Sequence, residues 1–137
     1  MVKNGSNKRI ELIPDSWIWL GRLKYSLAKK LKCKCADIYI TPTNIKHVND
    51  IHVKELAQIG LDVVDYAKYI VNNFNQVRKG TKDSLLLVVR KVHLSDVAAI
   101  RLEFVAKNNV WIVRTVQPRR EKDLSKSELL FETASLK

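Results

Sequence analysis

The spacing of apolar residues changes once along the chain, and the change splits it into two halves. In the first half the period is helical. After Asp15-Ser16, Leu20, Leu23, Leu27 and Leu31 recur at three- and four-residue intervals, with Lys24, Lys29, Lys30 and Lys32 among the positions between them. That pattern predicts an amphipathic helix. Asp37-Ile38-Tyr39-Ile40 reads as a short strand. Thr41-Pro42 then reads as a helix start, with threonine as N-cap and proline at the first helical position. This helix is expected to run toward Gly60. A further helix follows it, in which Leu61, Val64, Ala67, Ile70 or Val71, and Phe74 trace one apolar stripe.

Past Gly80 the period becomes two. SLLLVVRKV, from Ser84, is a compact β-rich run. In AIRLEFV, Ile100, Leu102 and Phe104 alternate with Arg101 and Glu103. Lys107-Asn108-Asn109 is a hairpin turn signal, and VWIVRTV follows it. Strict alternation there puts Trp111, Val113 and Thr115 on one face and Val110, Ile112 and Arg114 on the other. ELLFETA, from Glu128, reads as a last strand. Helices first and an antiparallel meander afterwards make an α+β chain. The expected architecture is N-terminal helices on one face of a four- or five-stranded antiparallel sheet, its other face left free for a substrate.

Length changes this picture little: 137 residues suit one domain, read here as residues 10–137 after a polar, disordered leader over 1–9. No apolar run reaches the ~18 residues of a membrane span, and MVKNGSNKR carries no apolar signal segment. The expectation is a monomer acting in the cytoplasm without membrane attachment. Cys33 and Cys35 are too few for a disulfide scaffold and are expected to be reduced thiols.

Charge changes it more. The 25 Lys and Arg against 14 Asp and Glu give +11. Residues 1–35 alone carry +7 and the remainder +4. Such an excess points to a polyanion, nucleic acid before membrane. Two further readings stay open: a basic module that binds nucleic acid without turnover, and a domain that docks an acidic protein.

Two of the three histidines, His47 and His52, stand five positions apart in NIKHVNDIHVKEL. A helical metal pair sits at i and i+4; a spacing of five turns the second imidazole by about 140° on an unbroken helix. Cys-x-Cys is equally unlike the usual zinc spacing, so no metal site and no cofactor are expected. Two imidazoles suit acid and base roles near neutral pH, provided the helix bends or ends near Asn49-Asp50. The ordinary alternative is a pair of solvated helix residues. Arg90, Arg101, Arg114, Arg119 and Arg120 are candidates for phosphate contacts, and Thr115 is a candidate donor to a phosphate oxygen. Alternation allows only one of Arg114 and Thr115 into a given site. Glu103 is a candidate base or an ion-pair partner of Arg101. Trp17, Trp19, Tyr66 and Tyr69 can stack on bases, although packing is the commoner role for each. Ser95, Asp96 and His93 are too close in sequence to form a triad.

The stretch DIYITPTNIKHVNDIHVKELAQIGLDVVDYAKYIVNNF, from Asp37 to Phe74, together with VWIVRTVQPRR, resembles the metal-independent toxin ribonucleases of the barnase–EndoU–colicin D–RelE group. The resemblance is notably to phage-associated members and to the C-terminal toxin domains of contact-dependent growth inhibition proteins. The shared features are a strand, a helix with the two histidines, an "EL…IG" segment, a long amphipathic helix and a closing strand that ends in threonine before basic residues. They span about residues 37–122. The resemblance implies cleavage of RNA, often tRNA, and a tight acidic immunity protein as partner. It places His47, His52 and Thr115 in the catalytic set. Arg90 and Arg101 are candidates for the basic catalytic residue, and Arg119 joins them as a substrate-binding position. The chain departs from the EndoU pattern in lacking a complete histidine–histidine–lysine order.

Overall fold

The computed structural model describes residues 10–46, 62–81, 83–90, 96–116, 119–120 and 126–133. The expected leader and all three histidines lie outside these residues. The strands are β1 (Ile18–Arg22), β2 (Asp37–Ile40), β3 (Gln76–Lys79), β4 (Leu85–Val89), β5 (Asp96–Val105), β6 (Val110–Val116), β7 (Arg119–Arg120) and β8 (Leu129–Glu132). The helices are α1 (Tyr25–Leu31) and α2 (Val63–Asn73), and residues 42–46 are helical as well. None is long and apolar enough to cross a membrane.

The chain is α+β, but the sheet is wider than expected. Seven strands run in the order β1-β2-β6-β5-β4-β3-β8, and β7 pairs with β5. The sheet is also mixed, because β2 lies parallel to β6 while the other pairs are antiparallel. Two strands that the sequence reading did not include, β1 and β3, account for the difference. The helix expected from residue 15 onward is instead β1, a turn and the seven-residue α1. Leu20 and Leu23 sit at helical spacing, yet Leu20 is buried from strand β1 and Leu23 from the segment that follows it. Trp and Ile favour strands, and Gly21 disfavours a helix interior. The helix expected over residues 61–77 stops at Asn73, and Gln76–Lys79 form β3, which pairs with β4 on one side and β8 on the other.

Other boundaries follow the sequence closely. β2 and β6 span the residues read as strands. Thr41 Oγ1 accepts from the Asn44 backbone N–H at 3.2 Å, the N-cap bond expected of Thr41-Pro42. Asp62 caps α2 in the same way, accepting from the Asp65 N–H at 2.8 Å. The buried stripe of α2 is Val63, Tyr66, Ala67, Ile70 and Val71, so Tyr66 is core and not a stacking platform. α1 ends on Lys32 in the left-handed region (φ 56), with Cys33 N–H bonded to the Ala28 carbonyl at 3.0 Å.

One apolar layer lies between α2 and the sheet. Ile38, Ile40, Val77, Leu85, Leu87, Val89, Ile100, Leu102, Trp111 and Val113 face it. α2 packs over β1 as well as β4, β5 and β6, and the approach to β1 depends on Gly21. A Cβ there would lie 2.6 Å from Val71 Cγ1. The second sheet face is not left free throughout. Leu86, Val88 and Ala99 form a separate buried cluster on it, Val110 and Ile112 are buried toward β6, and Arg78, Arg101, Glu103 and Thr115 are half-exposed.

Overpacking of this kind costs typically ~1–3 kcal/mol. Gly21→Ala is therefore expected to lower the urea midpoint by that amount of stability. Gly21→Ala combined with Val71→Ala should lose less than the two single changes together. Strict additivity in urea unfolding would show that Val71 is not what Gly21 accommodates.

Candidate nucleic-acid interface

Polar residues gather on the second sheet face because of one irregularity in the β5–β6 ladder. Arg101 is paired with Thr115, whereas the next residue, Leu102, is paired with Val113. Arg114 is thus an extra residue in β6, a β-bulge. Residues opposite one another in a ladder share a face, so Thr115 shares the face of Arg101. Arg114 reaches that face too: its Nη2 donates to Glu103 Oε1 at 3.0 Å, and Glu103 is two residues from Arg101. The alternation rule that kept Arg114 and Thr115 apart fails at the bulge. Glu103 pairs with Arg114 and not with its strand neighbour Arg101.

Register extends this set into rows across the sheet. Arg78, Leu86, Arg101 and Thr115 are successive partners on β3, β4, β5 and β6. Tyr39, Ile112 and Glu103 form the row on the other side of the bulge. Arg101 Nη1 donates to Thr81 Oγ1 at 3.0 Å, and among the described residues no carboxylate pairs with it. Thr81 is placed by the β3–β4 turn, where Ser84 Oγ donates to the Thr81 carbonyl at 2.6 Å and Gly80 leaves room for Ser84.

Arg90 and Arg119 belong to a different level. Arg119 is paired with Val97, four residues along β5 from Arg101, a distance of ~13 Å. Arg90 follows Val89, the partner of Ala98, and so reaches the same level. Its backbone N–H donates to Asn75 Oδ1 at 2.9 Å, and the Asn75 amide returns a bond to the Arg90 carbonyl at 2.7 Å. Arg120 is paired with Asp96. The arginines are therefore spread along β5 and do not converge on one point.

His47 and His52 lie outside the described residues, as do His93 and Asn49-Asp50. The described chain approaches His47 beside β6. Asn44 Nδ2 donates to the Val113 carbonyl, at the start of the bulge, so the turn that leads to Lys46 is tied to the strand that carries Arg114 and Thr115. Trp19 is exposed and bonded through Nε1 to Asp37. Tyr69 is exposed on α2.

Two grooves flank the polar rows. One, of about 340 Å³, is lined by Lys79, Thr81, Leu86, Arg101, Lys126 and Ser127, among others. The other, of about 520 Å³, includes Trp17, Thr43, Asn44, Lys107, Asn108 and Arg114 in its lining. Lys107 and Asn108 read in the sequence only as turn formers, and nothing in their spacing marks them as groove residues. A third groove, of about 710 Å³, opens on the helix-covered face over Leu85, Phe104 and Trp111. Its floor is apolar, and Lys32, Lys34 and Lys79 at its rim stand with Asp83 and Glu128.

Both cysteines are free and half-buried in the connection between α1 and β2, packed against the core. Burial pushes the Cys33 thiol up, and the nearby Cys35 adds to the effect.

Comparison with known protein families, curated proteins and solved structures returned no match for this chain.

The Cys33 environment gives a direct test of this connection. In a Cys35→Ser variant, alkylation of Cys33 by iodoacetamide should become half-maximal at a higher pH in the native protein than in urea. A free thiol titrates near ~8.5. An unchanged or lower native midpoint would mean that the 32–36 connection does not bury the thiol.

Proposed function

We propose that this chain is a metal-independent endoribonuclease, with tRNA as its substrate class and the second sheet face as its substrate surface. The observation that carries the reading is the bulge at Arg114. It brings Arg101, Arg114 and Thr115 to one side of the sheet, beside the strand to which Asn44 ties the turn leading to His47. The net charge of +11 and the resemblance to toxin ribonucleases support it as well.

RNA carries its own nucleophile, so the protein needs to supply a base, an acid and charge stabilisation. One of His47 and His52 takes the proton of the 2′-OH as that oxygen attacks phosphorus. The other protonates the departing 5′-oxygen. The products are a 2′,3′-cyclic phosphate and a 5′-hydroxyl. Arg101 and Arg114 offset the charge of the crowded phosphorane, and the Thr115 hydroxyl donates to one of its oxygens. Arg90 and Arg119, ~13 Å along the sheet, engage neighbouring phosphates. An acidic immunity protein that covers this face belongs to the same reading.

One observation favours a second reading, a nucleic-acid-binding module without turnover. Glu103, the carboxylate in the polar rows, is bonded to Arg114 and is not poised as a base. On that reading the chain binds with a steep salt dependence and leaves RNA intact.

Incubation of the protein with total tRNA in EDTA separates the two. Cleavage with cyclic-phosphate ends is expected. Removal of either imidazole should lower the rate by about 10²–10⁴, so His47→Ala and His52→Ala should be nearly inactive with unchanged circular dichroism. Arg101→Ala and Thr115→Val should each be slower than the parent chain. Activity that appears only on addition of a divalent metal would sink the metal-free mechanism, and full activity in both histidine variants would sink the site.

A further inference from the structure

We infer that the 520 Å³ groove beside Arg114 is a nucleobase subsite that selects a base bearing an exocyclic amine. The inference rests on the reading that this sheet face takes nucleic acid, but not on cleavage.

Three observations carry it. The first is the character of the walls. Among the described residues the groove is lined by Lys107 and Arg114 as cations, and by no carboxylate. Its volume falls within the range of small-ligand sites, ~300–1,000 Å³.

The second is an aromatic wall. Trp17 is half-buried, and its ring is braced by Tyr39 at a centroid distance of 6.4 Å and an interplanar angle of 60°. Its backbone is fixed by a turn in which the Trp17 N–H donates to the Pro14 carbonyl at 3.0 Å. A braced indole on a groove wall is a stacking platform for a base, and Arg114 at the same groove reaches the adjoining phosphate.

The third is an orphaned acceptor. Asn108 is 5% exposed. Its Nδ2 donates to the Glu11 and Leu12 carbonyls, each at 3.3 Å. That fixes which end of the amide is which, and Oδ1 is left buried without a partner. A buried acceptor without a donor is costly, and it marks a place where a donor is missing. Because both Nδ2 hydrogens are committed, Asn108 has only an acceptor to offer. A base seated deep against the 105–108 turn satisfies it with an amino group, as adenine, cytosine and guanine carry. Uracil presents its N3–H between two carbonyl oxygens that Oδ1 repels.

The test separates binding from turnover by using 2′-O-methyl oligonucleotides, which lack the nucleophile. Fluorescence anisotropy at fixed salt should show the full chain binding adenine and cytosine oligomers several-fold more tightly than uracil oligomers. Trp17→Ala should weaken the adenine oligomer by about five- to a hundredfold, and Trp17→Phe should restore most of that loss. A second measurement leaves the Trp17 wall intact. In a Trp19→Phe background the remaining tryptophans are Trp17 and the buried Trp111, so a bound adenine oligomer should quench the Trp17 emission. Equal affinity for all oligomers, or saturation without quenching, overturns the subsite. Failure to bind any of the oligomers overturns it too and leaves this face to a protein partner. Quenching and base preference without cleavage of natural RNA would retain the subsite and remove the ribonuclease reading. Cleavage without quenching would do the reverse.

Discussion

Among the described residues, the fold depends on covering one apolar face of a wide sheet with little helix. Seven strands at ~4.8 Å spacing make a sheet ~29 Å across, whereas the 11 residues of α2 span only ~16 Å. α2 packs closely on β1, and Gly21 is where that closeness is decided. The short α1 and the connection carrying Cys33 and Cys35 extend the cover. Where neither helix reaches, the sheet's apolar side is left as the groove over Phe104 and Trp111. This groove is the largest of the three described above, and its position follows from coverage, not from chemistry. Arg101, Glu103, Arg114 and Thr115 are on the opposite side.

On that opposite side the deciding feature is a single extra residue. Without the bulge, β6 would turn Thr115 toward α2 and the apolar layer. The bulge lets Val113 stay in the core while Arg114 and Thr115 both face away from it. It also exposes a use for the Asn44 amide, which takes the Val113 carbonyl at the start of the irregularity. The geometry of the strand and the path of the chain from β2 are thereby coupled.

What the sequence made legible follows the reach of each signal. Strands β2 and β6, the N-cap at Thr41 and the hairpin turn at 107–109 depend on neighbours in the chain, and local chemistry specifies them. β1 and β3 were hidden. Leu20, Leu23 and Leu27 imitate a helical repeat, and Gln76-Val77-Arg78-Lys79 carries only one apolar residue. Its strand state is fixed by β4 and β8, not by its own pattern. The parallel pairing of β2 with β6 joins residues more than 70 positions apart, beyond what periodicity can report. The bulge is the clearest case for the site: VWIVRTV reads as strict alternation, and only the partner strand reveals the extra residue. The candidate residues Arg101, Arg114 and Thr115 were nameable from the sequence, but their common face was not.

The Arg114–Glu103 pair at 3.0 Å bears on whether this face can hold an anion at all. The two side chains are 39% and 44% exposed, and an ion pair that open to solvent contributes only ~0–1 kcal/mol. A phosphate can therefore displace Glu103 at small cost, and a guanidinium offers a phosphate two parallel bonds where a shared carboxylate oxygen now takes one. Arg101 has still less to give up, since its partner at 3.0 Å is the neutral hydroxyl of Thr81. Both cations are held in place by weak partners. Each guanidinium can therefore exchange that partner at small cost.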